Sequence, residues 1–271
     1  MPHRSERFRV LGRNLRVIDL SDRLDNATSS FEVNGHHIDY LDHRRTLEAG
    51  EALLGIEPEW WPGGLGWAAE NVTLSTHSGT HVDAPYHYGP ESGGAPARTI
   101  DEVPLRWCFG DGVLLDMTHK AEGEGITARD VEHELDRIGY RVQPYDIALV
   151  RTDASKRFRT PGYDRVHPGL RRDATELLID LGVRLVGIDA WGLDRPFPVM
   201  VEEARRGNPE QLWESHLLGR HKEYSQIEKL CNLDQIPLPF GFAVAAFPVN
   251  LARASGAWAR VVALVDESDG A

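Results

Sequence analysis

Several features that would settle a protein's class at once are missing from this chain. Its 271 residues include only two cysteines, Cys108 and Cys231, which cannot build a disulfide framework, and neither has a Cys-x-x-Cys partner. Both are expected to be small buried residues. No apolar run reaches the roughly 18 residues of a membrane-spanning helix, and Met1 to Val10 lacks the apolar stretch of a secretory leader. A cytoplasmic location is therefore the default expectation. Positive charge is in deficit, with 30 Lys+Arg against 42 Asp+Glu and a net charge of −12, which argues against nucleic acid and anionic membranes as partners. There is no Gly-x-Ser-x-Gly elbow for a serine nucleophile, no glycine-rich phosphate loop, no internal repeat and no heptad run.

What remains is an ordinary globular composition, 41% apolar and 27% charged, long enough for one large domain or two small ones. The unusual chemistry is concentrated in His77-Ser78-Gly79-Thr80-His81-Val82-Asp83-Ala84-Pro85-Tyr86-His87, which packs three histidines and an aspartate into eleven residues. A helix is disfavoured there by Gly79, by the β-branched Thr80 and Val82, and by Pro85. In an extended chain the four groups, all at odd positions, share one face. A straight strand would hold His77 and His81 about 13 Å apart, too far to share an ion comfortably, so the chain is expected to bend at Gly79. Two imidazoles and a carboxylate converging on one point form a metal-binding set with positions left for water.

This stretch resembles the His-x-Gly-Thr-His-x-Asp-x-Pro-x-His signature of the cyclase family of metal-dependent hydrolases, which includes kynurenine formamidase and isatin hydrolase. The resemblance implies that His77, His81 and Asp83 bind metal and that His87 is the catalytic acid/base. A second landmark lies further on. His216 by itself reads as a buried, hydrogen-bonded core histidine and Glu228 as a surface glutamate. Twelve positions apart, with Gln226-Ile227-Glu228-Lys229-Leu230 around the second, they resemble the pair that closes the family's metal site, and Gln226 is a lesser ligand candidate.

Alternating strands and helices predict an α/β fold with a mixed sheet. Strands are expected at 15–20, 71–76, 111–117, 146–151, 184–190, 242–249 and 259–265, with 71–76 delivering the signature. Helices are expected at 127–138, capped by Thr127, at 170–181, and from Asn208-Pro209 through His216 and Leu217. The resemblance adds a swivelling β/β/α-type single domain over residues 1–271 and a homodimer or homotetramer, with loops of one subunit completing the neighbour's site. Residues 25–67 read as a lid or substrate loop. Within it Trp60 and Trp61 form either an aromatic wall over the site or an oligomer contact, and Tyr86 is a further candidate substrate contact. His36, His37, His43 and His133 are expected to be solvated and His167 to be a turn residue. Asp189 is expected to hydrogen-bond behind the ligands. Gly256-Ala257-Trp258-Ala259-Arg260 stands where many family members have Gly-x-Pro-x-Arg; the missing proline is expected to leave the metal site untouched while leaving subgroup and substrate open. The tail from Asp266 is expected to be loosely ordered.

The function expected from this resemblance is hydrolysis of a small carbonyl compound by water activated on Zn²⁺ or Mn²⁺, one ion or two. An amide C–N bond, of an aryl formamide or cyclic amide, comes first and a lactone second. A non-catalytic metal-binding module and a protein-interaction domain are the competing classes. The intact His87 argues against the first, and the second requires an exposed aromatic patch in place of a closed pocket.

Overall fold

The computed structural model describes residues 5–32 and 34–268, so the end of the tail lies outside the described residues. Strands β1 (Ser5–Val10) and β2 (Arg13–Asp19) form a hairpin turned by Leu11 and Gly12 at positive φ. Next come β3 (His37–Leu41), helix α1 (Arg45–Leu54) and β4 (Ala69–Thr73), then β5 (His81–Asp83) and the single turn α2 (Pro85–Tyr88). The central units follow: β6 (Phe109–Asp116), α3 (Ala128–Ile138), β7 (Ile147–Arg151), α4 (Arg172–Asp180), β8 (Leu185–Ile188), α5 (Phe197–Arg205), α6 (Glu214–Leu218) and β9 (Ser225–Glu228). Closing strands are β10 (Phe242–Ala245), β11 (Gly256–Trp258) and β12 (Val262–Asp266).

Ten of these strands make one mixed sheet in the order β1-β2-β12-β10-β6-β7-β8-β9-β5-β11. The run β6 to β9 is parallel, and the strands on either side join antiparallel. Parallel strands covered on both faces need apolar residues at every position, and Ile147 to Val150 are all buried. Their alternation separates two cores. Ile147 and Leu149 join Leu114, Leu185 and Val244 on one face. Ala148 and Val150 join Val113, Leu115, Val186 and Ile188 on the other, against Val131, Leu135, Ala174 and Leu178 of α3 and α4. The expected α/β class with a mixed sheet is the observed one. Thr127 caps α3 by accepting the Asp130 backbone N–H, and Asp130 reciprocates in a capping box.

Four expectations need correction here. The strand at 69–73 does not deliver the signature: it pairs with β3 in a separate two-stranded ribbon, and Val72 is exposed because that ribbon has no layer to cover it. Residues 25–67 are no continuous loop, since they hold a 3-10 turn at Asn26–Phe31, β3 and α1. Asp42 accepts the Arg44 and Arg45 N–H groups at the start of α1, and Gly55 ends it at φ +67°. His36 is buried, hydrogen-bonded to the Asp25 carbonyl at 2.7 Å, whereas His37, His43 and His133 are exposed as expected. Cys108 is buried but Cys231 is only partly so. Among the described residues no helix is long and apolar enough to cross a membrane.

Candidate metal centre

The signature folds around Gly79, which takes φ +62° and bends the chain where a Cβ would lie 2.9 Å from Leu24 Cγ. The bend aims the Gly79 carbonyl at His81, whose Nδ1–H donates to it at 2.8 Å. That bond fixes the tautomer, because a carbonyl can only accept, and leaves the lone pair on Nε2. His81 Nε2 is buried with no hydrogen-bond partner, 3.2 Å from Asp83 Oδ1 and 3.7 Å from Glu228 Oε2. A bare lone pair facing two carboxylate oxygens away from water is repulsive unless a proton or a metal cation lies among them. Although burial lowers the His81 pKa, Asp83 raises it overall, so the place draws positive charge. The donor set therefore fits a divalent metal ion.

Cross-strand register assembles the rest. On β5 and β9, Asp83 pairs with Gln226 and His81 with Glu228, and all four point to the face opposite Val82 and Ile227. Two overlapping groups result, His81 with Asp83 and Glu228, and His77 with Asp83 and His87. His77 Nδ1 lies 2.6 Å from Asp83 Oδ1, and its Nε2 lies 3.0 Å from Ser255 Oγ. From α6, His216 brings Nε2 to 3.8 Å from Asp83 Oδ2 and 3.5 Å from Glu228 Oε1. Asp194 orients that ring through Nδ1 and also accepts the backbone N–H groups of Ser215 and His216. Burial pushes the Asp83 carboxyl up, but the imidazoles of His81 and His87 outweigh it and hold the group well below the usual range. Glu228 is raised, by burial and then by the charge of Asp83.

His87 follows Pro85 on the single turn α2, its ring centroid 4.1 Å from that of His77 and its Nε2 4.0 Å from Asp83 Oδ2. Burial, followed by the other imidazoles, lowers its pKa to about 4 against the attraction of Asp83. It faces a cavity of about 230 Å³ walled by Trp191, Phe197, Met200 and Trp213, with Glu228 and His216 also lining it.

The sequence-predicted substrate contacts are elsewhere. Trp60 and Tyr86 are 64% and 46% exposed, Trp61 packs on Trp67, and none of the three lines the cavity. The helix expected from Asn208 through Leu217 is broken: a 3-10 turn ends at Gln211, and Trp213 takes φ +54°, which lays its ring on His216 at a centroid distance of 4.2 Å. Asp189 does not support the ligands; it accepts hydrogen bonds from Thr152 and Asp153 at the end of β7. The orienting carboxylate is Asp194, five residues on. His167, expected in a turn and not in the site, is fully buried and lines the cavity, with Nδ1–H on the Pro168 carbonyl. The Gly256-to-Arg260 segment borders the site. Gly256 pairs with Asp83, a Cβ there would lie 2.8 Å from His77 Cε1, and Trp258 donates to the Ser75 carbonyl. Lys229, absent from the predicted site, bridges Glu32 and the His77 carbonyl. Its place directly after Glu228 was the only sequence signal.

Fold and site together define an α/β protein with a buried His/Asp/Glu cluster, suited to a divalent ion, at the base of a small aromatic-walled cavity. The Cyclase family model matches residues 18–195, and the chain belongs to that family. Curated relatives include a kynurenine formamidase of Bacillus mycoides (strain KBAB4), 25% identical over 148 residues, 49% of this chain and 63% of that protein. Another, from Paracidovorax citrulli (strain AAC00-1), is 28% identical over 200 residues, 70% of this chain and 77% of that protein. The chain thus spans less than two thirds of the first of these relatives. Among solved structures, isatin hydrolase A from Labrenzia aggregata matches with a TM-score of 0.72 at 23% identity, covering 93% of this chain and 94% of that one. Isatin hydrolase A from Ralstonia solanacearum matches with 0.71 at 24%, covering 93% and 92%. These likenesses are to the fold.

Proposed function

We propose that this protein is a metal-dependent hydrolase that opens the C–N bond of a small aryl formamide or cyclic amide. The observation that carries the reading is the placement of His87 beside Asp83, at the edge of an aromatic-walled cavity, with its imidazole held neutral. Kinship with kynurenine formamidases and the fold shared with isatin hydrolases support the amide over a lactone. When bound, a divalent ion supplies Lewis acidity and makes water acidic near neutral pH. His77, His81, Asp83 and Glu228 would hold it, with His216 beside them. Trp191, Phe197 and Trp213 give a flat ring faces to stack against. The neutral His87 takes a proton from the attacking water and returns it to the departing nitrogen. Asp83 Oδ2 lies 4.0 Å from Nε2 of that ring, and Trp191, Phe197, Met200 and Trp213 give the cavity beside it an apolar lining. A homodimer or homotetramer, with a small-molecule substrate as its other partner, completes the proposal.

The test is His87→Ala assayed on formanilides, cyclic imides and lactones, with metal content measured alongside. Turnover is expected to fall by roughly 10²- to 10⁴-fold with metal content unchanged. Full turnover in the variant would sink the acid/base role. An intact metal content with no substrate turned over by the native protein would favour a binding module.

A further inference from the structure

The two carboxylates of the cluster each present one oxygen to either side. Asp83 Oδ1 and Glu228 Oε2 face His81, while Asp83 Oδ2 and Glu228 Oε1 face His216. Such a pair could bridge two cations, one on the His81 side and one on the His216 side, at the separation of about 3.5–4 Å usual for paired ions. The His216 side is already filled. Gln226, fully buried on β9, places its amide nitrogen 2.9 Å from Asp83 Oδ2, 3.0 Å from Glu228 Oε1 and 2.6 Å from His216 Nε2.

Strand periodicity explains the position. Gln226 and Glu228 are two residues apart and so share a face, and Gln226 stands directly across from Asp83. The orientation of the amide is set by Asp83 Oδ2, a carboxylate oxygen that can only accept and lies 2.9 Å from the amide nitrogen. At the other end Gln226 Oε1 lies 3.1 Å from the Tyr224 hydroxyl. Tyr224 is itself buried, stacked on Tyr88 at 5.1 Å, and shares its one hydroxyl proton with the Ser215 carbonyl at 2.8 Å. The carboxylate therefore holds the NH₂ pointing into the cluster. His216 presents a lone pair there, because its Nδ1–H is committed to Asp194. Three acceptors thus converge on one neutral donor group in the place where a second ion would need to sit.

We infer that Gln226 serves as an uncharged stand-in for a second cation, so that this chain binds a single divalent ion, on the His81 side of Asp83 and Glu228. The inference rests on the metal-dependent reading above and deepens it. His216 on this account does not bind metal; it takes the amide's hydrogen bond and steadies the two carboxylates through Gln226.

Metal content decides the matter without any assay of turnover. The native protein, purified without chelator and then equilibrated with Mn²⁺ and desalted, is expected to carry about one ion per chain by elemental analysis. Its low-temperature electron paramagnetic resonance should be that of an isolated Mn²⁺, with no exchange coupling. Gln226→Ala opens the His216 side, and a second ion per chain with a coupled spectrum is expected there. Gln226→Glu offers an anionic ligand at the same point and serves if the alanine variant does not fold. Two ions in the native protein would overturn the inference while leaving the hydrolase reading intact. One ion in folded variants would also overturn it, since Gln226 would then not be what excludes the second. No ion at all would sink the metal-dependent reading and this inference together.

Discussion

Gly79 does two separable jobs at the scale of one residue. It occupies φ +62°, where an L side chain costs about 1–2 kcal/mol, and it turns its own carbonyl onto His81 Nδ1. In Gly79→Ala the new methyl also meets Leu24 Cγ at 2.9 Å. The variant is expected to melt at lower temperature and to bind Mn²⁺ more weakly, because a shifted carbonyl frees the His81 ring to turn its lone pair away. Combining it with Leu24→Ala should recover the steric part of the loss and none of the backbone part. Metal titration by calorimetry on native, single and double variants separates the two; native affinity in Gly79→Ala would show that the carbonyl does not orient His81. The bend was legible because a glycine between two histidines in a β-branched context has few other uses. Asp194 was not, since Asp189 and Asp194 are both acids beyond the same strand, and only the path of the loop decides which reaches α6.

At the scale of elements, a buried ion pair joins three segments that are far apart in the chain. Glu32, just past the Asn26–Phe31 turn, accepts the Gly79 N–H at 2.7 Å and the Lys229 ammonium at 2.6 Å. Lys229, at the end of β9, donates in turn to the His77 carbonyl at 2.9 Å. Both side chains are less than a tenth exposed. Removing one partner strands the other charge without water, which typically costs about 3–5 kcal/mol, whereas removing both costs much less. Lys229→Met should therefore lose stability in that range, and Glu32→Gln with Lys229→Met should recover much of it, as measured by urea denaturation. Equal losses in the single and double variants would mean that Lys229 acts through packing alone. This clamp joins positions nearly two hundred residues apart by register, so no local pattern announces it. The elements themselves read well where periodicity and caps agree, as in α3 and β7. The reading failed where a left-handed residue intervenes, as at Trp213, which converts one apolar helical face into two short turns.

For the whole molecule, one part of the response to acid comes from a buried histidine that refuses a proton. His167 is fully buried with its Nδ1–H on a carbonyl, and burial lowers its pKa from 6.5 to about 4. For a base with a depressed folded pKa, nothing is lost above pH 6.5. Below that value the unfolded chain takes up a proton that the folded chain declines, so stability falls until about pH 4 and then levels. At about 1.4 kcal/mol for each pH unit between the two values, the loss is about 3 kcal/mol. Asp189 works the other way: burial raises it to about 6, against the hydrogen bonds of Thr152 and Asp153. Folding therefore takes up a proton there between about pH 6 and 4, and acidification stabilises over much the same window. The native pH profile holds both terms, and the cluster histidines add their own. A difference isolates the one at issue. His167→Phe keeps a flat ring and cannot titrate, so it loses some stability at every pH by leaving the Pro168 carbonyl unpaired. The gap between variant and native should narrow by about 3 kcal/mol from pH 7 to pH 4. Parallel curves from chemical denaturation across that range would show that His167 is protonated inside the folded protein. Burial of His167 at the cavity lining would then not be what keeps its ring neutral.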